Sequence, residues 1–121
     1  MDFNAYQKKA HGTAIYPTNI TLGFEDTEIE QPLIWIYPAL GLTGESGELA
    51  NKLKKIIRDA NGEILPDIKV KLLDELGDIL WYISELTTLL GAELEVVAYH
   101  NISKLSERVK RNVIKGSGDD R

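Results

Sequence analysis

Two pairs of carboxylates, each pair spaced by three residues, are the side chains in this sequence best suited to chemistry. Glu45 and Glu48 form the first pair, and Glu75 and Asp78 form the second. On a helix, residues three apart project from one face with their Cβ atoms about 5–6 Å apart. Four acids on two packed helices would repel one another unless a cation neutralised them. Because oxygen ligands favour hard divalent cations, the pattern predicts a site for Mg²⁺, or for Mn²⁺ in its place.

The composition argues against other kinds of metal site. The chain has no cysteine, which excludes disulfides and thiolate-bound metals. Its two histidines, His11 and His100, have no metal-ligating partner three or four residues away. Because di-iron helix bundles use Glu-x-x-His pairs, the acid-only pairs in this chain make iron chemistry a poor fit.

Basic and amide side chains follow the acids along the predicted helix faces, and they predict a phosphate-bearing substrate. They recur at spacings of three and four residues after the first acid pair and along the last predicted helix. A metal held by acids bridges phosphate oxygens, and flanking cations neutralise the charge that remains. A polyphosphate fits this pattern, although exposed lysines also serve solubility alone. The side chains concerned are Lys52, Lys55, Asn101, Lys104, Arg108 and Arg111.

Aromatic residues near the acids are candidates for contact with a base or a sugar. Tyr82 lies one helical turn after Asp78, where its ring either stacks on a ligand or packs in the core. Trp35 either lines a pocket or makes an apolar contact, and Trp81 is expected in the core or at an interface.

Glycines are frequent beside the acids, although each costs about 1 kcal/mol relative to alanine inside a helix. They indicate either close approach of a ligand or backbone at the site, or tight packing between helices. These glycines are Gly41, Gly44, Gly47 and Gly77. The acids outside the two pairs are expected to be solvated, and they include Glu85, Glu93, Glu95 and Glu107.

The apolar positions predict an all-α fold, a small antiparallel bundle of four main helices. Leu72 and Leu76 begin the 3.6-residue recurrence in the third helix. Pro38 predicts a break at the start of the second helix, and Gly62 and Gly91 predict helix ends. The expected helices span about residues 2–11, 39–59, 67–90 and 93–113.

A single domain, residues 1–121, accounts for the chain. Residues 12–31 are predicted to form a long surface loop, either functional or partly disordered. The glycine-rich residues 115–121 are predicted to be a mobile tail. The one candidate strand is Leu33–Tyr37.

The composition also limits the expected partners and location. The net charge is −5 and the pI is about 5.0, which argues against a nucleic-acid-binding surface. The apolar runs are too short for a membrane span, and the first residues lack the basic and apolar regions of a signal peptide. We therefore expect a cytoplasmic protein that binds neither nucleic acid nor membrane.

The acid pairs and their surroundings resemble the MazG-like branch of the all-α nucleoside triphosphate pyrophosphohydrolases. The family pattern is Glu-x-x-Glu followed by Glu-x-x-Asp, which the two pairs match with 26 residues between them. The resemblance extends over roughly residues 3–118. Its other matching segments are residues 37–45, 74–82 and 101–108, with Tyr6 and Gln7 in the first helix.

The resemblance implies hydrolysis of a nucleoside triphosphate between its α- and β-phosphates, with Mg²⁺ held by all four paired acids. Glu48 is implied as the carboxylate nearest the attacking water. The resemblance also implies a homo-oligomer, a tetramer ahead of a dimer, with sites formed between protomers. The implied phosphate contacts are Lys55, Asn101, Lys104 and Arg108. The implied nucleoside pocket contains Gln7, Trp35 and Tyr82.

Other interpretations of the same residues stay open. A related hydrolase acting on dUTP or on an alarmone would use the same acids. A sensor that binds Mg²⁺ and nucleotide without turnover, or a helical interaction module, would not be catalytic. Replacing Glu48 with glutamine separates these classes, because turnover is lost in an enzyme and an interaction module is unaffected.

Overall fold

The computed structural model describes residues 1–17, 20–24, 27–31, 34–112 and 115–118. Four helices carry the architecture, and a short antiparallel hairpin of two strands follows the first of them. In chain order the elements are α1 (Phe3–His11), β1 (Ile20–Phe24), β2 (Thr27–Gln31), α2 (Ile36–Ala60), α3 (Pro66–Leu89) and α4 (Leu94–Lys110). The predicted all-α fold with four main helices is confirmed, with the hairpin as an addition.

Local capping signals explain where α2 begins and ends. Pro38 lies in the first turn of α2, where a backbone N–H would have no acceptor within the helix, so the proline is tolerated. At the other end, Asn61 and Gly62 adopt left-handed conformations with φ of 50° and 82°. The Gly62 N–H donates to the Ile56 carbonyl at 3.1 Å, which satisfies one of the last carbonyls of the helix.

The limits of α1 and α3 follow from the same kind of signal. The Asp2 side chain caps α1 by accepting a hydrogen bond from the Ala5 N–H at 2.7 Å. Pro66 occupies the start of α3, and Asp67 is an acid in its first turn, where the helix dipole favours negative charge. Gly91, with φ of 68°, follows the end of α3 as predicted.

The segment between α1 and α2 differs from the sequence prediction. Residues 12–31 contain the hairpin, in which Ile20 pairs with Gln31 and Phe24 pairs with Thr27. Acidic and apolar residues alternate around Ile29, but the stretch is too short to distinguish a strand from a loop. The candidate strand at Leu33–Tyr37 is wrong over its described part, because α2 begins at Ile36.

Helix α3 is the centre of the fold. Among the described elements it packs most extensively against α2, and it also contacts α1 and α4. Helix α1 bridges α3 and α4. Within the described residues, α2 and α4 do not contact each other, so they are separated by α3. This arrangement gives the protein two distinct sides, one formed by α2 and α3 and the other by α4.

The buried apolar core of the described residues is small for a chain of this size. Its members are Ala10, Ile56, Leu72 and Leu94. Large apolar side chains remain exposed along several helices, among them Ile57 at 69% and Ile102 at 63%. No helix in the described part of the chain combines the length and apolarity that crossing a membrane requires. Extended exposed apolar faces of this kind are typical of surfaces that another chain covers.

Candidate functional site

Three carboxylates from two helices meet at the contact between α2 and α3. Glu45 of α2 and Glu75 and Asp78 of α3 each offer an oxygen, and these oxygens lie within 4.8 Å of one another. Glu45 and Glu75 are partly buried, whereas Asp78 is exposed. The three residues are called the acid group below. Because Mg²⁺ and Mn²⁺ take carboxylate oxygens and keep several waters, a partly open group of three carboxylates fits such a cation.

Glu48, the fourth predicted ligand, lies outside the acid group. It is one turn beyond Glu45 on the same face of α2, and its side chain is exposed to solvent. The structure therefore brings three of the four predicted acids into one group and leaves Glu48 beside it.

The electrostatics of the acid group favour a bound cation. Burial raises the pKa of Glu45, and the charges of Asp78, Glu75 and Glu48 raise the same pKa further. An ionised Glu45 is therefore destabilised by its surroundings until a positive charge arrives. This donor set and its crowding fit a divalent metal ion.

Lys52 supplies part of the missing positive charge. Its Nζ lies 2.6 Å from Oε1 of Glu75, and the two side chains are 35% and 13% exposed. The hydrogen bond to Glu75 raises the pKa of Lys52. The lysine therefore stays protonated beside the acid group.

An open cavity of about 380 Å³ lies against the acid group. Glu45 and Asp78 form its acidic end, and the remaining lining comes from Thr13, Trp81 and Tyr82. The Trp81 and Tyr82 rings meet edge to face with their centroids 5.0 Å apart. With a divalent cation bound at the acidic end, such a cavity suits a ligand that carries both phosphates and a ring. Tyr82, one of the three predicted nucleoside contacts, thus lines the cavity beside the acid group.

Tyr82 keeps its place because α2 has a glycine opposite its ring. A methyl group at Gly41 would overlap the ring atoms of Tyr82. By contrast, a Cβ at Gly44, Gly47 or Gly77 would meet no atom within 4 Å in the described structure. Tight packing therefore explains Gly41, and nothing within the described part of the chain explains the other three.

The predicted phosphate contacts are spread over three places. Lys55 lines a second cavity of about 340 Å³ that also includes Lys52 and Lys71. Asn101 and Lys104 line a groove on α4 that shares no lining residue with the cavity beside the acid group. Arg108 is only 5% exposed, so it is packed within the protein. Within one chain, Asn101 and Lys104 are thus separated from the acid group.

Gln7, predicted to line the nucleoside pocket, joins three elements instead. Its Nε2 donates to Thr88 Oγ1 at 3.0 Å and to the Ala92 carbonyl at 2.8 Å. Its Oε1 accepts a hydrogen bond from the Leu94 N–H at 2.8 Å. Every polar atom of this buried amide is used to hold α1 against the α3–α4 connection. Trp35, the other predicted pocket residue, is half-exposed at the start of α2 and outside the cavity beside the acids.

Glu85 is the polar residue whose position differs most from the sequence prediction. It was expected to be solvated, but it is fully buried, whereas Glu93, Glu95 and Glu107 are exposed as predicted. Its carboxylate accepts a hydrogen bond from the Tyr16 hydroxyl at 2.9 Å. These two residues lie 69 positions apart in the chain, so no local pattern reveals the contact.

Comparison with known proteins adds two matches. A family model described as the MazG nucleotide pyrophosphohydrolase domain matches residues 38–113. The "Gene 37 protein" of Mycobacterium phage L5 is 42% identical over 121 residues, which is 100% of both chains. No solved structure gives a significant match. The family match contains the acid group, Glu48 and the α4 groove, and it leaves α1 and the hairpin outside.

Proposed function

The chain belongs to the MazG nucleotide pyrophosphohydrolase family, and we propose that it hydrolyses a nucleoside triphosphate to a monophosphate and pyrophosphate in the presence of Mg²⁺. The observation that carries this proposal is the acid group, with oxygens within 4.8 Å, at the end of a cavity walled by Trp81 and Tyr82. Such a reaction would act on the free nucleotide pool of the cytoplasm.

The acid group would hold the metal. Glu45, Glu75 and Asp78 would provide its ligands, with Glu48 within reach as the fourth acid of the motif. A divalent cation bound there neutralises phosphate charge and makes a water molecule more acidic. Mn²⁺ would serve in place of Mg²⁺, because it accepts the same oxygen donors.

Glu48 is the proposed general base. Its exposed carboxylate lies beside the acid group, which leaves it free to accept a proton from the attacking water. The water oxygen would form a bond to the α-phosphorus, and the bond from that phosphorus to the bridging oxygen would break. The bridging oxygen would leave with pyrophosphate. Such chemistry depends on position and charge neutralisation more than on a special nucleophile.

The cations near the acid group would neutralise the phosphates. Lys52 already contacts Glu75, and Lys55 lines the adjoining cavity between α2 and α3. Asn101 and Lys104 lie on α4, which does not touch α2 in the described structure. Because neither residue lines the cavity beside the acid group, we propose that they reach the substrate from another protomer.

We therefore propose a homo-oligomer, with a tetramer ahead of a dimer. The exposed apolar side chains of α4, including Ile102 and Val109, support an interface on that helix. An interface there would add to the small core and would bring the α4 groove of one protomer towards the acid group of another.

Product analysis tests the reaction. The protein would be incubated with the common ribo- and deoxyribonucleoside triphosphates, with Mg²⁺ and with a chelator. Monophosphate and pyrophosphate formed only with the metal would support the proposal. Diphosphate and inorganic phosphate would indicate another phosphoryl transfer. Metal-dependent nucleotide binding without turnover would indicate a sensor instead.

A further inference from the structure

Glu85 is a buried carboxylate that the proposed chemistry does not use. Its side chain has no exposed surface, and it lies seven residues beyond Asp78 on α3. At about 1.5 Å of rise per residue this is roughly 10 Å along the helix, too far for the same metal ion. Burying a carboxylate is costly unless it is paired and hydrogen-bonded. The contacts of Glu85 therefore indicate what it holds in place.

Those contacts fix both ends of one short segment. The Tyr16 hydroxyl donates to Oε2 of Glu85 at 2.9 Å. Nδ1 of His11, the last residue of α1, lies 3.2 Å from Oε1 of the same carboxylate. Residues 11–16, called the junction below, are thus attached to α3 at their first and last positions. The junction leads towards the hairpin that begins at Ile20.

The Tyr16 ring reinforces this attachment. It stacks on Tyr37 of α2, with centroids 5.2 Å apart and an interplanar angle of 4°. It also meets Trp81 of α3 edge to face at 6.2 Å. Burial and then the hydrogen bond to Glu85 raise the pKa of Tyr16 to about 12, so its hydroxyl remains a donor at neutral pH.

The middle of the junction reaches the cavity beside the acid group. Thr13 Oγ1 donates to the Ala10 carbonyl at 2.7 Å and accepts from Nε1 of Trp81 at 2.9 Å. Thr13 and Trp81 both line that cavity, together with Glu45 and Asp78. The position of this wall therefore depends on a segment whose two ends are held by Glu85.

We propose that Glu85 is a positioning residue that sets nucleotide affinity by holding the junction, and with it Thr13 and Trp81, against the cavity. This inference rests on the proposed function, because it assigns the cavity wall to the nucleoside part of the substrate. Glu85 itself touches neither the acid group nor the cavity. Loss of its contacts should weaken substrate binding while leaving the metal ligands and the chemical step in place.

Tyr16→Phe is the primary test, because it removes one hydroxyl and keeps the stacked ring. We expect the KM for the preferred nucleoside triphosphate to rise about tenfold, consistent with loss of a hydrogen bond to a charged group, while kcat changes less than about twofold. Glu85→Gln should also raise the KM. The KM of the double variant should not exceed that of the single variant with the higher KM, because both changes remove the same contact. Should Glu85→Gln fail to fold, Tyr16→Phe still decides the question.

Asn4→Ala is the matched control for general loosening of α1. Asn4 donates to Oε2 of Glu93 at 3.0 Å and so attaches α1 to the residue before α4, and neither residue lines the cavity beside the acid group. This variant should lower the melting temperature without changing KM. Amide hydrogen exchange in residues 13–16 should become faster in Tyr16→Phe and stay unchanged in Asn4→Ala.

The outcomes separate this inference from the proposed function. If the wild-type protein turns over normally and Tyr16→Phe has an unchanged KM, the role of Glu85 is overturned and the proposed function stands. An equal rise in KM in Asn4→Ala would also overturn the role of Glu85, since general loosening of α1 would then explain the rise in KM in Tyr16→Phe. Absence of turnover by the wild-type protein would overturn the proposed function and the affinity role together. Unchanged hydrogen exchange in Tyr16→Phe would overturn the attachment itself.

Discussion

Glu45 has unfavourable surroundings for a charged carboxylate, because it is partly buried and faces Asp78 and Glu75 across the contact between α2 and α3. Burial, followed by these charges, raises the pKa of Glu45 above its usual 4.5. The folded protein thus holds the Glu45 proton more tightly than the unfolded chain does. The contribution of this residue to stability is fully present below pH 4.5 and is lost as the pH rises through the raised pKa.

Glu45→Gln should therefore stabilise the metal-free protein at pH 7, by roughly 0.5–1 kcal/mol, since like charges at helical spacing cost a few tenths each. The corresponding rise in melting temperature is only a few degrees, and it should disappear near pH 4. The same variant should lose most of the stabilisation that saturating Mg²⁺ gives the wild type, which at 100 times Kd is about 2.7 kcal/mol.

Scanning calorimetry with Mg²⁺ and with a chelator measures both effects. Glu95→Gln is the control, because it removes one exposed charge from α4 outside the acid group. An equal response of Glu45→Gln and wild type to Mg²⁺ would show that Glu45 is not a ligand.

Glu48→Gln should separate metal binding from catalysis. Since a general base contributes about 10²–10⁴-fold to a rate, kcat should fall at least about 100-fold. The shift of melting temperature with Mg²⁺ should largely remain, because the acid group is intact. Steady-state kinetics and calorimetry on the same preparation measure the two properties, and full activity in this variant would remove Glu48 from the mechanism.

At the scale of the elements, α2 offers a comparison between two glycines in one helix. A methyl group at Gly41 would overlap the Tyr82 ring, whereas one at Gly44 would meet no described atom. Gly41→Ala should destabilise the protein by about 1–3 kcal/mol, as overpacking does, and should weaken nucleotide binding by moving Tyr82. Gly44→Ala should stabilise it by about 0.5–1 kcal/mol through helix propensity.

Urea unfolding of the two variants beside the wild type measures this difference. The opposite order would mean that Tyr82 does not depend on Gly41. A large destabilisation by Gly44→Ala in the assembled protein would instead place a partner backbone beside that glycine.

At the scale of the whole molecule, the α4 groove shares no lining residue with the cavity beside the acid group, and apolar side chains remain exposed on several helices. Under the proposed oligomer, assembly of several chains would cover these faces and would bring the α4 groove of one protomer towards the acid group of another. The proposal would therefore account for both the small core and the distance in the fold between the predicted phosphate contacts.

Ile102→Lys should disrupt the assembly, because it places a charge on an exposed apolar position of α4. Light scattering after gel filtration should show a lower molecular mass than the wild type. Glu107→Gln makes the same change in charge at an exposed position of the same helix and should leave the mass unchanged. A monomeric wild-type protein would contradict the proposed oligomer.

The sequence by itself determined the features that depend on near neighbours. Gly62 and Gly91 act on their own turns of backbone, so the ends of α2 and α3 followed from local signals. The break expected at Pro38 is absent, because α2 begins at Ile36 and takes the proline into its first turn. The three-residue spacing of each acid pair places both acids on one helix face whatever the surrounding fold. The four helices and the meeting of three of the four acids were therefore predictable, whereas the position of Glu48 outside the acid group was not.

Only the tertiary structure decided which polar residues are buried and which polar helix faces contact one another. Gln7, Glu85 and Thr13 find their partners about 70 to 90 positions away in the chain, where sequence spacing carries no information. Glu85 and Glu95 are both acids on helices, yet one is buried and the other solvated. Burial and pairing depend on which elements pack together, and here the packing of α1 and the junction against α3 and α4 set that outcome.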